Sequence, residues 1–373
     1  MTADPAAAAA AYLLRLPAAA RAAAPADTAR AESLLAASII VALLAAWAIA
    51  RSGFLDQIAQ RLEAAGRPRW MADAACGGAA AGLVALALTP FGLTSSGISA
   101  ILPALILALR QDAVISLMGA LGAPLLYGLM RIAPRLWAPL LGGLAAVLVF
   151  AAAWLPFARA SGPANLPPVP AGAARAGLLN LIAQTHLPAR EVYLTPITGI
   201  DADVTGLGAA RVSVSRGLWE VASPQELRAS VGHLMGHYVH HDQLWIALLL
   251  AGVALGLFLV VRAAYDPAAR LLGLPADISS PAGAPALIAL AVLWLSAGVI
   301  ADHALIRWIN VRADQYSLDH AREPDGLAVA LLHEWRGEDP DPSPLQEALF
   351  YDHPPLQGRL VHAMNWKAAH PAG

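Results

Sequence analysis

Two histidines four residues apart mark the stretch of this sequence best suited to chemistry. His233 and His237 lie within residues 230–242, which read SVGHLMGHYVHHD. On a helix this spacing places both imidazoles on one face, one turn apart. Two such imidazoles supply two of the three protein ligands of a catalytic zinc site. The pair therefore predicts a metal centre on a helix.

The residue after the first histidine does not complete this chemistry. In zinc sites of the HExxH type, a glutamate at that position serves as the general base. Here the position is Leu234, and a leucine side chain cannot accept a proton from water. The sequence therefore predicts the frame of a zinc-site helix without its base. A membrane-edge helix that is merely rich in histidine is the alternative interpretation.

The composition is that of an integral membrane protein. Of the 373 residues, 58% are hydrophobic and 13% are charged, whereas soluble domains are about half apolar and a quarter charged. We therefore expect the lipid bilayer as the surroundings. The formal net charge of -2 gives no reason to expect nucleic acid as a partner. Cys76 is the single cysteine, which excludes an internal disulfide and a thiolate zinc cluster.

Apolar stretches predict about six or seven membrane spans. Those before residue 160 are 34–50, 72–88, 98–109, 113–130 and 136–157. The third is short for a full crossing, so it is either a broken span or a re-entrant element. Two more, 244–261 and 284–306, form a hairpin after the histidine helix. Four arginines crowd the loop after the first span, which places that loop in the cytoplasm and the N-terminus outside.

The sequence divides into five segments around these spans. They are an N-terminal interfacial or mobile segment (1–32), a transmembrane bundle (33–159), a region with strands and the histidine helix (160–242), a transmembrane hairpin (243–308) and a C-terminal part (309–373). Short strands are predicted at 191–194, 203–205 and 211–215. Ser223, Pro224 and Glu226 predict the start of the histidine helix, with serine as the N-cap and proline at the first position.

The motifs downstream of the hairpin carry a family resemblance. Residues 310–314 read NVRAD, and residues 350–355 read FYDHPP. Together with the histidine helix, this order resembles the type I CAAX prenyl proteases, which are membrane-embedded zinc metalloendopeptidases with an HExxH helix, a hairpin and an ExxAD motif. Ala313 and Asp314 match the end of ExxAD, so Asn310 stands at the position of the zinc-binding glutamate. A register with Gln315 and Asp319 also lacks that glutamate.

The resemblance implies an architecture and a set of metal-site roles. The expected fold is a mainly α, polytopic helical membrane protein with a small α+β zinc-metalloprotease-like region. His233 and His237 would be zinc ligands, Asn310 a weak or absent third ligand, and Asp314 the acid that orients a ligand histidine. Zinc is therefore expected to be weakly bound or absent.

The resemblance also implies residues that hold a substrate. The stretch 203–208 resembles the edge strand that pairs with an extended peptide, which assigns substrate binding to Asp203, Val204, Thr205 and Gly206. An ordinary hairpin strand is the alternative. His353 and Arg359 would stabilise the oxyanion, whereas the residue pattern alone predicts a helix N-terminus.

Two departures from the family pattern predict impaired or absent catalysis. A positioned base contributes about 10² to 10⁴ in rate, and a neutral amide suits zinc less well than a carboxylate. We expect a peptide or membrane-protein client, with a role in membrane-protein quality control. The location is the bacterial inner membrane, with multiple spans and the protease-like region in the cytoplasm.

Two rival functions fit the same sequence. The first is an active zinc metalloendopeptidase whose metal site is rebuilt from other side chains. Candidates for that rebuilding are His240, His241, Asp242, His303, His320 and His353. The second is a transporter-like, non-enzymatic membrane protein whose histidines line a polar cavity.

Overall fold

The chain is mainly helical and carries one small sheet. The computed structural model describes residues 4–93, 101–159, 165–275 and 277–371. The helices are α1 Pro5–Leu13, α2 Ala18–Ser52, α3 Phe54–Ala64, α4 Arg69–Leu93, α5 Ile101–Ile132, α6 Trp137–Arg159, α7 Ala173–Gln184, α8 Arg216–Val221, α9 Pro224–Val239, α10 Asp242–Leu272, α11 Ala284–Ala321, α12 Pro324–Glu334, α13 Pro344–Phe350 and α14 Leu356–Ala369. The strands are β1 Val192–Thr195, β2 Ala202–Thr205 and β3 Arg211–Ser215.

Six helices in these ranges are long and apolar enough to cross a membrane: α2, α4, α5, α6, α10 and α11. Many of their apolar side chains are not covered by protein. Leu125 on α5 is 75% exposed, and Val147 on α6 is 65% exposed. Apolar surface of this extent is suited to lipid rather than to water. The predicted architecture, a polytopic helical membrane protein with a small α+β region, is confirmed.

The short span predicted at 98–109 is not a separate element. From Ile101 onwards it belongs to α5, which continues through the next predicted span, while residues 98–100 lie outside the described ranges. The polar residues Arg110 and Asp112 separate the two predicted spans. Asp112 accepts a 2.6 Å hydrogen bond from the Thr89 hydroxyl of α4, which satisfies this carboxylate within the helix pair. Four candidate spans therefore precede residue 160 within the described ranges.

The chain forms two compact units. The first contains Met1–Ala29, Val149–Leu250 and Val299–Gly373, and the second contains Arg30–Leu148 and Ala251–Gly298. The five segments inferred from the sequence stay a prediction. Within the second unit, a Cβ added to Gly77 of α4 would lie 2.7 Å from the Gly119 carbonyl oxygen of α5. Small residues allow this close approach between membrane helices.

The sheet belongs to the first unit and has the order β1–β3–β2. β1 pairs with β3 in parallel, and β2 pairs with β3 in antiparallel fashion. Val204, Val212 and Val214 are buried in a core that includes Leu227 of α9. Among the described residues, β2 pairs on one side only, so its other edge is free. The sheet thus fixes an edge strand against the helix that carries the histidines.

The first helix is an integral part of the first unit. Tyr12 of α1 is buried in a core shared with Leu327 of α12 and Leu360 of α14. Its hydroxyl donates a 2.6 Å hydrogen bond to Asp325, and Lys367 donates a 2.5 Å hydrogen bond to the same carboxyl group. The alanine-rich sequence indicated an interfacial or mobile segment. The packing depends on partners more than 300 residues away, which local sequence does not reveal.

Candidate functional site

The histidine helix begins where the sequence predicts. The Ser223 hydroxyl accepts a hydrogen bond from the Glu226 N–H at 3.2 Å, and Pro224 takes the first helical position. α9 then continues through both histidines to Val239. Because a helix repeats every 3.6 residues, Glu226, Ser230, His233 and His237 share one face.

A glycine before each histidine lets α9 approach α11 closely. A Cβ on Gly236 would lie 2.9 Å from the Cα of Ala313, and one on Gly232 would lie 3.1 Å from the Ser317 hydroxyl. That hydroxyl donates a 2.7 Å hydrogen bond to the Ala229 carbonyl. The sequence GHLMGH therefore encodes a tight helix contact as well as two imidazoles. This contact brings Asp314 of α11 to His233.

His233 is held by a buried ion-paired carboxylate. Its Nδ1 lies 2.8 Å from Asp314 Oδ1. Arg359 of α14 donates to the two oxygens of the same carboxylate from Nε and Nη2, each at 2.7 Å. The Asp314 and Arg359 side chains are 2% and 8% exposed, so both charges are removed from water together. The predicted role of Asp314, to orient a histidine, agrees with this geometry.

His237 is held in the same manner by a second carboxylate. Its Nδ1 lies 2.8 Å from Asp242 Oδ2, and Arg312 donates to the other oxygen of that carboxylate. The Arg312 guanidinium also lies over the Trp308 ring, 3.6 Å from its centroid. Burial lowers the pKa of His237, and the hydrogen bond to Asp242 offsets only part of this effect. The neutral imidazole is therefore favoured.

The two imidazoles point their remaining nitrogens at each other. Because an ionised carboxylate only accepts hydrogen bonds, each Nδ1 carries a hydrogen, and the Nε2 of a neutral ring then has a lone pair. The two Nε2 atoms are 3.0 Å apart. Two histidines bound to one tetrahedral zinc ion would have their nitrogens roughly 3.3 Å apart. The histidine pair therefore suits a shared proton or a cation between the rings.

The rest of the donor set does not fit a catalytic zinc site. Asn310 lines the cavity beside the histidines, but its side-chain amide donates to the Ile306 carbonyl of its own helix at 2.9 Å. Its remaining oxygen is neutral. No group of three His, Cys, Asp or Glu side chains that could hold a metal ion occurs among the described residues. Leu234 lines the same cavity and offers neither a ligand nor a base.

A cavity of about 780 Å³ lies in front of the histidines, wholly within the first unit. Its walls combine apolar side chains with carboxylates and three histidines. The residues used below are Asp201, Asp203, Val204, Thr205, Arg211, Glu226, His233, Leu234, His237, Asp242, Asn310, Glu334 and His353. Of the four predicted substrate residues, Asp203, Val204 and Thr205 line this cavity and Gly206 does not. Gly206 has φ +119°, a conformation that suits glycine at the turn after β2.

His353 and Arg359, both predicted to stabilise an oxyanion, differ in whether they line the cavity. His353 lines the cavity, is 41% exposed and contacts Asp352 through Nδ1 at 2.9 Å. Arg359 is not among the lining residues of that cavity and is bound to Asp314 through two hydrogen bonds. Its position makes it a support for the carboxylate that holds His233. Sequence alone does not show that Asp314 and Arg359 are adjacent.

Sequence reasoning missed three carboxylates in the cavity wall, those of Asp201, Glu226 and Glu334. Glu226 of α9 is 2% exposed, and its Oε1 lies 2.6 Å from His333 Nδ1 on α12. Glu334 is the next residue and also lines the cavity. The spacing of seven residues between Glu226 and His233 was a signal for a shared helix face. Of the residues considered for a rebuilt site, Asp242 and His353 reach the cavity.

Comparisons with known proteins agree with this geometry. The model of peptidase family M48 matches residues 171–367, which contain the histidine pair, its two Asp–Arg supports, the sheet and His353. A Protease HtpX homolog of Syntrophobacter fumaroxidans is 31% identical over 205 residues, which are 48% of this chain and 71% of that protein.

Two other proteins show more distant similarity. A Protease HtpX homolog of Desulfatibacillum aliphaticivorans is 28% identical over 202 residues, which are 48% of this chain and 64% of that protein. The crystal structure of S. mikatae Ste24p aligns with a TM-score of 0.48 at 17% identity, covering 76% of this chain and 72% of that one.

Proposed function

Because this chain belongs to peptidase family M48, we propose that it is a multi-pass membrane protein that binds peptides but has lost efficient metal-dependent hydrolysis. Membership in a peptidase family disfavours the transporter-like alternative. The proposed occupants of the cavity are extended segments of peptides or membrane proteins. A role in membrane-protein quality control, a location in the bacterial inner membrane and a cytoplasmic protease-like region stay predictions.

The observation that carries this proposal is the loss of two carboxylates from one cavity wall. Leu234 replaces the general base, and Asn310 replaces the anionic third ligand. With two neutral nitrogen donors and no third charged one, the site holds zinc weakly and does not activate water as a three-ligand site does. Hydrolysis is expected to fall accordingly, because neither the nucleophile nor its base is supplied.

Peptide binding is supported by the parts of the cavity that remain. β2 has a free edge and lines the cavity beside the histidines. A peptide in extended conformation can add to such an edge through main-chain hydrogen bonds. This mode of binding requires neither Leu234 nor Asn310 to be a glutamate. Binding and cleavage are therefore separable in this site.

An active enzyme with a rebuilt site is the second candidate. It is favoured by Glu334, whose carboxylate lines the same cavity and can serve as a base if it reaches a metal-bound water. Glu226 is less suited, because seven residues of helix separate it from His233 by roughly 10 Å and its carboxylate is bound to His333. A Glu334→Gln variant tests this candidate, since it removes the charge and keeps the shape.

The deciding experiment measures zinc, cleavage and binding in one preparation. Detergent-purified protein is compared with a His233→Ala/His237→Ala double variant. We expect far less than about one zinc per chain, no chelator-sensitive cleavage of an unfolded protein, and retained binding of a fluorescent peptide. About one zinc per chain, together with cleavage that both the double variant and Glu334→Gln abolish, would contradict the proposal and support the rebuilt enzyme.

A further inference from the structure

The face of β2 that points away from the core carries two carboxylates and one hydroxyl. Side chains alternate along a strand, so Asp201, Asp203 and Thr205 share one face, while Val204 is on the other and packs into the core. Every residue from Ile200 to Thr205 lines the 780 Å³ cavity, so these three residues are all at its wall. The edge strand therefore presents a defined chemical pattern to whatever occupies the cavity.

The hydroxyl on this face lacks a partner. Thr205 is 8% exposed, and its Oγ1 is buried without a hydrogen-bond partner in the structure as described. A buried hydroxyl in this state has lost its bonds to water, which is unfavourable unless a bound group replaces them. Because Thr205 lines the cavity, a polar ligand at this strand could replace those bonds once the buried hydroxyl turns outward.

The carboxylates on this face are not neutralised by the protein. Within the described ranges, neither Asp201 nor Asp203 forms an ion pair, whereas Asp242 and Glu226 are paired with Arg312 and His333. Burial raises the pKa of Asp203 and the neighbouring Asp201 raises it further, while Arg211 and the Val204 N–H oppose this. Arg211 is the only Arg or Lys side chain among the lining residues. A cationic ligand would relieve this excess of negative charge.

The free edge is correctly oriented for a peptide. The Ser215 N–H donates to the Asp201 carbonyl at 2.8 Å, so Asp201 and Asp203 turn their backbone groups towards β3. By the alternation of antiparallel pairing, Ala202 and Val204 turn theirs to the free edge. A strand added there would place its alternate side chains about 5 Å from those of Asp201 and Asp203.

We propose that this edge selects extended peptides with two basic side chains at alternate positions, one for each aspartate. The inference rests on the proposed peptide binding and names its substrate class. Alternate spacing is required because adjacent residues of an added strand point to opposite faces. Two opposite-charge cross-strand pairs correspond to roughly 2- to 30-fold tighter binding than for a neutral peptide.

The test uses three fluorescent peptides and the intact protein in detergent. Their sequences are Val-Arg-Val-Arg-Val, Val-Val-Arg-Arg-Val and Val-Gln-Val-Gln-Val. We expect the first to bind roughly 2- to 30-fold more tightly than the other two. The double variant Asp201→Asn/Asp203→Asn should reduce its affinity to that of the neutral peptide for the parent protein. The control Glu220→Gln/Asp341→Asn removes two exposed charges elsewhere and should leave the preference intact.

Each other outcome has a distinct meaning. Equal affinity for all three peptides overturns the charge selection while leaving peptide binding in place. Equal losses in the two double variants also overturn it, because the effect would then come from overall charge. If none of the peptides binds the parent protein, the proposed function fails together with this inference.

Discussion

Two groups of residues in the histidine site differ in their polar contacts: those that hold the imidazoles form ion pairs, whereas Leu234 and Asn310 are uncharged. Each imidazole forms a hydrogen bond with a buried aspartate, and each aspartate accepts a hydrogen bond from an arginine. The same cavity is lined by Leu234 and Asn310, which the proposed alignment with the family pattern places where that pattern has carboxylates. On this proposal, the residues that hold the histidines and the groups that carry out hydrolysis are separate parts of one site. The hydrogen bonds that hold the histidines also join α9, α11 and α14, so they stabilise the fold whether or not catalysis is retained.

Restoring both carboxylates would erase this difference and should have the largest effect. In a Leu234→Glu/Asn310→Glu variant we expect about one zinc per chain and chelator-sensitive peptide cleavage, with the base alone contributing about 10² to 10⁴ in rate. Elemental analysis and a cleavage assay measure the result. A Leu234→Gln/Asn310→Gln variant controls for shape. Unchanged zinc content in the glutamate variant would show that the frame is no longer competent to hold metal.

Removing one supporting carboxylate should destabilise the protein by an intermediate amount. Asp314→Asn leaves the Arg359 guanidinium buried without a counter-ion, which costs about 3–5 kcal/mol when a buried pair is broken. The thermal unfolding midpoint in detergent should fall accordingly. Asp242→Asn is the matched variant and should cost less, because the Arg312 side chain is 27% exposed and keeps its contact with Trp308. Equal losses would show that the two supports are equivalent.

The smallest effect on stability is expected at the contact of Asp325 with Tyr12 and Lys367, away from the histidines. Burial raises the pKa of Asp325, but hydrogen bonds from Lys367 and Tyr12 outweigh it, and the pKa is lowered overall. A carboxyl group whose pKa is lowered on folding stabilises the folded state at pH values above the ordinary pKa of about 3.9. This contribution is lost as the pH falls through the folded-state pKa.

Unfolding midpoints between pH 7 and 3 would measure this contribution. The parent should lose more stability on acidification than Asp325→Asn, which has no carboxylate to protonate. Asp341→Asn removes an exposed charge and should follow the parent. An Asp325→Asn profile that parallels the parent would contradict the assignment.

Local patterns in the sequence predicted the elements, whereas contacts between distant residues decided the rest. The N-cap at Ser223, the shared helix face of the histidines and the strand at Arg211–Ser215 all follow from neighbouring residues. The continuity of α5 was missed because Asp112 is satisfied by Thr89 on another helix. The contact of Arg359 with Asp314 was not predicted because the two residues are 45 positions apart in the sequence.

The residues of the site were proposed from motifs, whereas their contacts came from the structure. Motif matching selected both histidines and Asp314, which lie next to each other. The replacement of two carboxylates by Leu234 and Asn310 stays a prediction. Motif matching gave no indication that the Asn310 amide bonds to its own helix or that Glu226 pairs with His333 across the cavity wall. Those arrangements depend on helix packing, which a single sequence specifies only indirectly.

The packing of α1 against α14 also limits the number of membrane crossings between these helices. Because Tyr12 of α1 is joined by a hydrogen bond to Asp325, which also binds Lys367 of α14, these residues lie on the same face of the bilayer. An even number of crossings between Tyr12 and Asp325 satisfies this condition, and six candidate spans occur among the described residues. If each of the four candidates before residue 160 crosses, residues 165–242 lie on the same face as α1. In that arrangement an outside N-terminus and a cytoplasmic protease-like region exclude each other, so locating one determines the other.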